Sequence, residues 1–333
     1  MGFSKLGQSL TAREIFDLVQ DDLRNVEREI NLESMASVTA VTTIGRYLNA
    51  NGGKRLRPIL LLLSCKLVGQ ASDSAIRMAA VVEMIHTATL IHDDIIDVAQ
   101  TRRGKPSTNV IWGNHTSVLA GDWLYMQAFQ MALRERNFHV LDILIGLTQM
   151  MVEGELIQLE RIGKIDVSEA DYMELVDRKT ASLFAACARL GGVMGGADER
   201  VEQKLSDFAW NLGIAFQLVD DILDFTAREK VLGKPVGNDL REGKVTLPVI
   251  YALENGGPDG HKLVETVLAK SNYDEVPFRQ VLSFIERNHG IERAQDRAHS
   301  FAAKAREIIS EFPESPYQRA LSAVTELVTE RDH

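Results

Sequence analysis

His86-Thr87-Ala88-Thr89-Leu90-Ile91-His92-Asp93-Asp94-Ile95-Ile96-Asp97 reads as an apolar helix that ends in acid. Asp93 and Asp97 are four apart and share a helix face, with Asp94 beside them. The pattern returns 127 residues later as Phe216-Gln217-Leu218-Val219-Asp220-Asp221-Ile222-Leu223-Asp224. One such motif is weak, because an acidic helix face is usually just solvated. Two copies, each with isoleucine or leucine between the aspartates and apolar flanks, do not look like solvated faces, since burying unpaired charge is expensive. Carboxylates this close raise each other's pKa unless a cation sits among them. All-oxygen sites suit Mg²⁺, whose shell is usually completed by water and substrate phosphates. Two facing claws are therefore expected to hold several Mg²⁺ ions around a diphosphate, with Asp93, Asp94, Asp97, Asp220, Asp221 and Asp224 as ligands.

Outward from these motifs the periodicity is helical nearly throughout. Thr11-Ala12-Arg13-Glu14 is a capping-box start for a helix to about residue 31. Further helical patterns cover about 35–50, 55–69, 72–99, 115–134, 138–161, 168–190, 198–228 and 245–254, with about four more beyond. Strict apolar–polar alternation is nearly absent, so the expected fold is all-α without a sheet of consequence. The chain has 333 residues, 45% apolar and 25% charged, enough for a large core. That length often means two domains, but no Pro/Gly/Ser linker divides it and the two motifs need to meet. A single domain over 1–333 is expected.

Two cysteines, Cys65 and Cys187, make neither a disulfide framework nor zinc spacing, which fits a reducing cytoplasm. The N-terminus lacks the apolar stretch of a signal peptide, and the longest aliphatic run, Ile59 to Leu63, is far too short to span a bilayer. Peripheral membrane contact stays open on these grounds. A net charge of −10 argues against nucleic acid as a partner.

Cations nevertheless gather at three places: Gly52-Gly53-Lys54-Arg55-Leu56-Arg57-Pro58, then Arg102-Arg103-Gly104-Lys105 just after the first claw, and Lys234 with Lys244 after the second, around Asn238-Asp239. Any one lysine or arginine is ordinary surface charge; clusters that follow both claws suit phosphate recognition. One phosphate group would bind through Mg²⁺ and another directly to the cations.

Gly52-Gly53-Lys54-x-x-Arg57-Pro58, the run His86 to Asp97, Arg102-Arg103-Gly104-Lys105, Lys179-Thr180 and Phe216 to Asp221 together resemble the trans-isoprenyl diphosphate synthases, of the long-chain octaprenyl/solanesyl type. The likeness runs in order from about residue 50 to 250. It implies a bundle of about a dozen antiparallel helices around a deep central cavity. It also implies a prenyltransferase that joins an allylic diphosphate to isopentenyl diphosphate, with about three Mg²⁺ bound by the six aspartates. Arg102, Lys179 and Lys234 would contact the allylic diphosphate; Lys54, Arg57, His86 and Arg103 would hold isopentenyl diphosphate. Thr180 and Gln217 would turn oxygens toward the carbocation, and the released diphosphate would accept the proton. Lys244 and Asp239 match a lid region after the second motif. By analogy the protein pairs as a homodimer.

Product length should be set beneath the first claw. Ala88 and Thr89 lie about one helical turn, ~5.4 Å, deeper than Asp93, and neither is bulky. An aromatic there would stop a growing chain early, as in short-chain relatives. The expected product exceeds C20 and falls at roughly C35–C50, C40 or C45 by the resemblance, a length suited to a quinone side chain. Leu144, Leu147, Thr148 and Met151 are candidates for the cavity floor, although large apolar residues at helical spacing are more often core.

Rival readings explain less. His92-Asp93 with His86 suggests a histidine–aspartate phosphohydrolase, which leaves the second motif unexplained; His92 itself should pack or bond structurally. A regulatory subunit of a heteromeric synthase would lose aspartates that this chain keeps. Gly191-Gly192-Val193-Met194-Gly195-Gly196 has no following Lys-Ser/Thr and reads as a helix end or a close helix contact. Glu153-Gly154-Glu155-x-x-Gln158 matches a family segment that touches the pocket wall. Trp112, Trp123 and Trp210 read as packing.

Overall fold

Thr11 opens the first helix, α1 (Ala12–Asp17), with the expected capping box: its hydroxyl accepts from the Glu14 N–H, and Glu14 accepts from the Thr11 N–H at 3.0 Å. The helix does not run unbroken to residue 31. Val19 leaves helical geometry (φ −127°) and is 1% exposed, so the chain spends one turn on burying it before α2 (Gln20–Glu33) resumes. The computed structural model describes residues 10–50, 53–226 and 236–330.

The helices that follow are α3 (Thr39–Ala50), α4 (Leu56–Val68), α5 (Asp73–Ile96), α6 (Thr108–Trp112), α7 (Asn114–Leu133), α8 (Phe138–Arg161), α9 (Glu169–Val176), α10 (Ser182–Gly195), α11 (Glu199–Thr226), α12 (Asn238–Arg241), α13 (Leu247–Lys270), α14 (Phe278–Arg287), α15 (Gly290–Ser310) and α16 (Pro316–Thr329). Among the described residues the strands are a two-residue ribbon, β1 (Thr101–Arg102) against β2 (Lys105–Pro106). The fold is all-α, as expected. The helix expected over 168–190 is interrupted by a π turn at Asp177–Ala181. The one expected over 245–254 continues to Lys270 through a kink at Gly257 (φ 60°) before Pro258.

The packing resolves into two compact units. The first comprises the described residues up to Gly146 with Phe184–Asp207 and Glu307–Val324; the second comprises Leu147–Leu183, Phe208–Arg306 and the described residues from Thr325. Every boundary between them falls inside a continuous helix, α8, α10, α11, α15 or α16.

α5 is the core of the first unit. It packs against α2, α4 and α7, and Met78 to Val82 with Met84 and Ile85 are at most 1% exposed. By length and composition it could cross a bilayer, but 61% of its apolar window is buried. α10 lies close against α4 because glycines bring the backbones together. A Cβ on Gly191 would run into the Leu61 carbonyl, and one on Gly195 would sit 2.7 Å from the Cys65 carbonyl. The glycine run is therefore a helix contact, as the sequence suggested. In the second unit, α11 from Phe208 onward buries Phe208, Leu212, Ile214, Leu218, Ile222 and Phe225, while α13 packs on α14.

Backbone cannot yield to a methyl group as a flexible side chain can. Gly191→Ala is expected to cost about 1–3 kcal/mol, seen as a lower urea midpoint with an unchanged slope.

Candidate active site

The first claw sits where α5 stops. The Ala99 N–H bonds the Asp94 carbonyl at 2.8 Å and the Val98 N–H bonds that of Ile95 at 3.3 Å, a Schellman closure with Val98 in the left-handed region (φ 51°). A β-branched residue is poorly suited to that position, so the turn carries strain beside the motif. Asp94 is buried at 2% exposure. Arg102 clamps it, with Nε 2.8 Å from both carboxylate oxygens and Nη2 2.6 Å from Oδ1. Arg102 reaches back because Arg103 (φ 54°) and Gly104 (φ 73°) form the tight turn of the ribbon. Tyr47 anchors that ribbon, donating to the Pro106 carbonyl at 2.6 Å. Asp93 and Asp97 are half-buried. His92 stacks on Tyr125 (6.0 Å between centroids) and lies 3.3 Å from Asp122, against Gly121, where no Cβ fits; its role is structural.

The cations predicted for isopentenyl diphosphate gather in the same unit. A cavity is lined by Arg55, Glu83, His86, Asp94, Arg102 and Arg103. Arg103 rests on Gly53, where a Cβ would lie 2.7 Å from Nη1. Arg57 stacks on Phe184 at 5.5 Å, and Lys54 is exposed on the loop. Burial, and then the guanidiniums of Arg57, Arg103, Arg102 and Arg55, hold the His86 imidazole well below its ordinary range, so it is neutral at neutral pH. Gly52 lies outside the described residues. Arg55 was not singled out from sequence, yet it fixes this loop: its guanidinium meets Glu27 at 2.6 and 3.1 Å and Glu83 at 2.7 Å. The signal was Glu83, a lone acid inside the apolar run Val81 to Ile85, which has to find a cation.

The second claw lies on α11, and its three aspartates differ in burial: Asp220 is exposed, Asp221 is 4% exposed and Asp224 is fully buried. Tyr172 donates to Asp221 Oδ2 and Gln217 to Oδ1, each at 2.7 Å, while Thr180 donates to Gln217 Oε1 at 2.8 Å. Burial chiefly, then the neighbouring Asp239, pushes the Asp221 carboxyl well above its ordinary range against these donors; Asp220 adds to the rise. The Tyr172 phenol is held well up by burial and by Asp221. Asp224 Oδ2 accepts from the Asp239 N–H at 3.1 Å, and its carbonyl accepts from the Gly237 N–H at 2.7 Å. Lys244 pairs with Glu242 at 2.8 Å. Lys234 lies outside the described residues.

Lys179 and Thr180 occupy the π turn, a local widening of the helix often met at functional sites. Lys179 pairs with Glu155 and donates to Gln158 Oε1 at 3.1 Å. Gly154 permits this approach, since a Cβ there would be 3.0 Å from Arg178 Cβ and 3.3 Å from the Lys179 nitrogen. The Glu153–Gln158 segment thus holds Lys179. Of the chain-length candidates, Ala88, Leu144, Leu147 and Met151 are buried, Thr148 is half-buried, and the Thr89 hydroxyl donates to the His86 carbonyl at 2.7 Å.

Both claws offer oxygen donors only, which fits a hard divalent cation. Among the described residues no three carboxylates, imidazoles or thiols form a ready metal cage. A cation held by one or two carboxylates and completed by phosphate oxygens needs none.

Because His86 stays neutral in the fold, the unfolded chain takes up one more proton below pH ~6.5. This contribution to stability is full above that pH and is lost as pH falls, by at most about 1.4 kcal/mol per pH unit. Urea midpoints between pH 7 and 5.5 are expected to drop further for wild type than for His86→Asn.

The polyprenyl synthetase family model matches residues 38–285. The chain is 35% identical over 323 residues to the octaprenyl diphosphate synthase of Escherichia coli (strain K12), covering 97% of this chain and 100% of that one. It is 40% identical over 246 residues to a geranylgeranyl diphosphate synthase of Methanosarcina mazei, covering 71% and 76%. The crystal structure of a polyprenyl synthase from Caulobacter crescentus CB15, complexed with calcium and isoprenyl diphosphate, superposes with a TM-score of 0.93 at 35% identity, covering 98% of this chain and 100% of that one. On this all-α frame, the chain belongs to the polyprenyl synthetase family and is a prenyltransferase of the trans-prenyl diphosphate synthase class.

Proposed function

We propose that the protein elongates farnesyl or geranylgeranyl diphosphate by successive condensation with isopentenyl diphosphate, giving an all-trans product of roughly C35–C50, with C40 or C45 favoured. One observation carries the reading: a neutral His86 among arginines lies in the cavity that Asp94 and Arg102 also line. Such a cavity suits a diphosphate beside a metal claw. The long-chain assignment rests on small, buried Ala88 and on near full-length similarity to an octaprenyl synthase. The similarity to a geranylgeranyl synthase favours a shorter second reading, a C20 product. The whole chain is taken as one synthase domain, since each unit boundary falls within a helix.

Asp93, Asp94, Asp97, Asp220, Asp221 and Asp224 would hold Mg²⁺, about three ions by the resemblance. Bound Mg²⁺ supplies Lewis-acid neutralisation of the charge that builds on the departing diphosphate. Arg102 and Lys179, each already beside carboxylates, add donors for the allylic diphosphate as its C–O bond ionises. Lys54, Arg57 and Arg103 neutralise isopentenyl diphosphate, and neutral His86 binds it without adding charge. Thr180 and Gln217 turn lone pairs toward the allylic cation, the isopentenyl double bond attacks it, and the released diphosphate takes the proton. Cytoplasmic residence is proposed from the two buried thiols, Cys65 and Cys187. A quinone side chain is the proposed use of the product, with peripheral membrane contact for its release.

A homodimer is proposed from an apolar stripe on α7 and α8. Leu119 is 67% exposed, Met126 65% and Phe138 82%, and Trp123, Met126, Phe129, Leu133 and Leu141 line a surface groove. Sedimentation should give twice the 37.0 kDa chain mass, and Met126→Glu with Phe138→Asp should give the monomer.

Incubation with Mg²⁺, farnesyl diphosphate and labelled isopentenyl diphosphate, followed by sizing of the products, tests the activity. A ladder ending at roughly C35–C50 is expected, lost in EDTA, with kcat at least about a hundredfold lower in Asp94→Ala and Asp221→Ala. Arrest at C20 would remove the long-chain assignment; absence of any elongation would remove the reading.

A further inference from the structure

Tyr172 belongs to no motif picked out in the sequence, yet it is 4% exposed and donates directly to Asp221. Its helix, α9, is held firmly. Ser168 and Asp171 close a capping box at its start, and Arg161 at the end of α8 bonds Asp171 at 3.1 Å and Glu174 at 3.0 Å. The phenol therefore has little freedom, and neither does the carboxylate it meets.

We propose that Tyr172 is a positioning residue for the metal site: its hydrogen bond, with that of Gln217 on the other oxygen, sets the plane of the Asp221 carboxylate and aims the remaining lone pairs at the metal–diphosphate complex. The proposal rests on the reading of Asp221 as a metal ligand. A carboxylate has about four lone-pair sites, and the torsion that sets its plane is otherwise broad. Donors at 2.7 Å on each oxygen occupy two of those sites and remove that freedom. Loss of such an outer partner typically lowers metal affinity about 10–100-fold. A tyrosine that only filled space would affect the melting temperature and leave metal affinity unchanged.

The test measures Mn²⁺ binding in the presence of inorganic diphosphate, from the spin-resonance signal of free Mn²⁺, alongside the Mg²⁺ concentration giving half-maximal rate. Tyr172→Phe is expected to weaken Mn²⁺ binding about tenfold or more and to raise the Mg²⁺ requirement by a similar factor. Its kcat at saturating Mg²⁺ should return to within a few fold of wild type. Tyr172→His, which keeps a ring N–H, is expected to recover part of the loss. A folded Tyr172→Phe that binds Mn²⁺ like wild type overturns the proposal. Asp221→Asn separates the two layers of argument. Weakened Mn²⁺ binding there with none in Tyr172→Phe leaves the ligand standing and removes only the tyrosine; wild-type binding in Asp221→Asn removes both.

Discussion

Asp221 places a carboxylate where only 4% of the residue meets solvent, with Asp220 and Asp239 adding charge of the same sign. Desolvation and like charge both oppose ionisation, and the neighbouring structure is arranged to offset them. Tyr172 and Gln217 each give a hydrogen bond, and Thr180 turns Gln217 to the orientation that lets it donate. Asp94 faces the same difficulty and is satisfied by a full charge, the Arg102 guanidinium. The difference matters chemically. The Asp94 carboxylate is already matched by the charge of an arginine, whereas Asp221, met by neutral donors, keeps its demand for a cation.

The same economy of charge shapes the phosphate side. Glu27 and Glu83 are occupied by Arg55, which lets a loop of basic residues stay near a half-buried histidine without an unpaired acid. Burial first, and then four guanidiniums, keep His86 neutral, so the cavity combines cations that attract diphosphate with a ring that adds no charge of its own. Backbone strain at Val98 and the positive-φ turn at Arg103 and Gly104 are local costs of bringing Arg102 back to the end of α5. Gly53 and Gly154 serve the same end, since each admits a close approach by a basic residue that a methyl group would crowd.

Much of the fold was legible in the sequence because helix formation is largely local. The 3.6-residue period marked α5 and α11, and Thr11 three residues before Glu14 marked the first helix start. The departures are the break at Val19, whose side chain is buried, the π turn over Asp177–Ala181 and the extension of α13 past Gly257. A helix pattern interrupted for the sake of a side chain's position does not show in periodicity, because the cause lies in another segment.

The sequence by itself determined the two aspartate claws, their place on helices and the cations that follow them, since each of these is a matter of spacing within one turn or one loop. Only the tertiary structure decided which donors those acids receive. Tyr172 and Asp221 are 49 residues apart, Arg55 and Glu83 are 28 apart, and Lys179 and Gln158 are 21 apart. Hydrogen bonds across such separations depend on how whole helices pack, and that packing is set by buried apolar surface, which carries no record of the polar pairs it brings together.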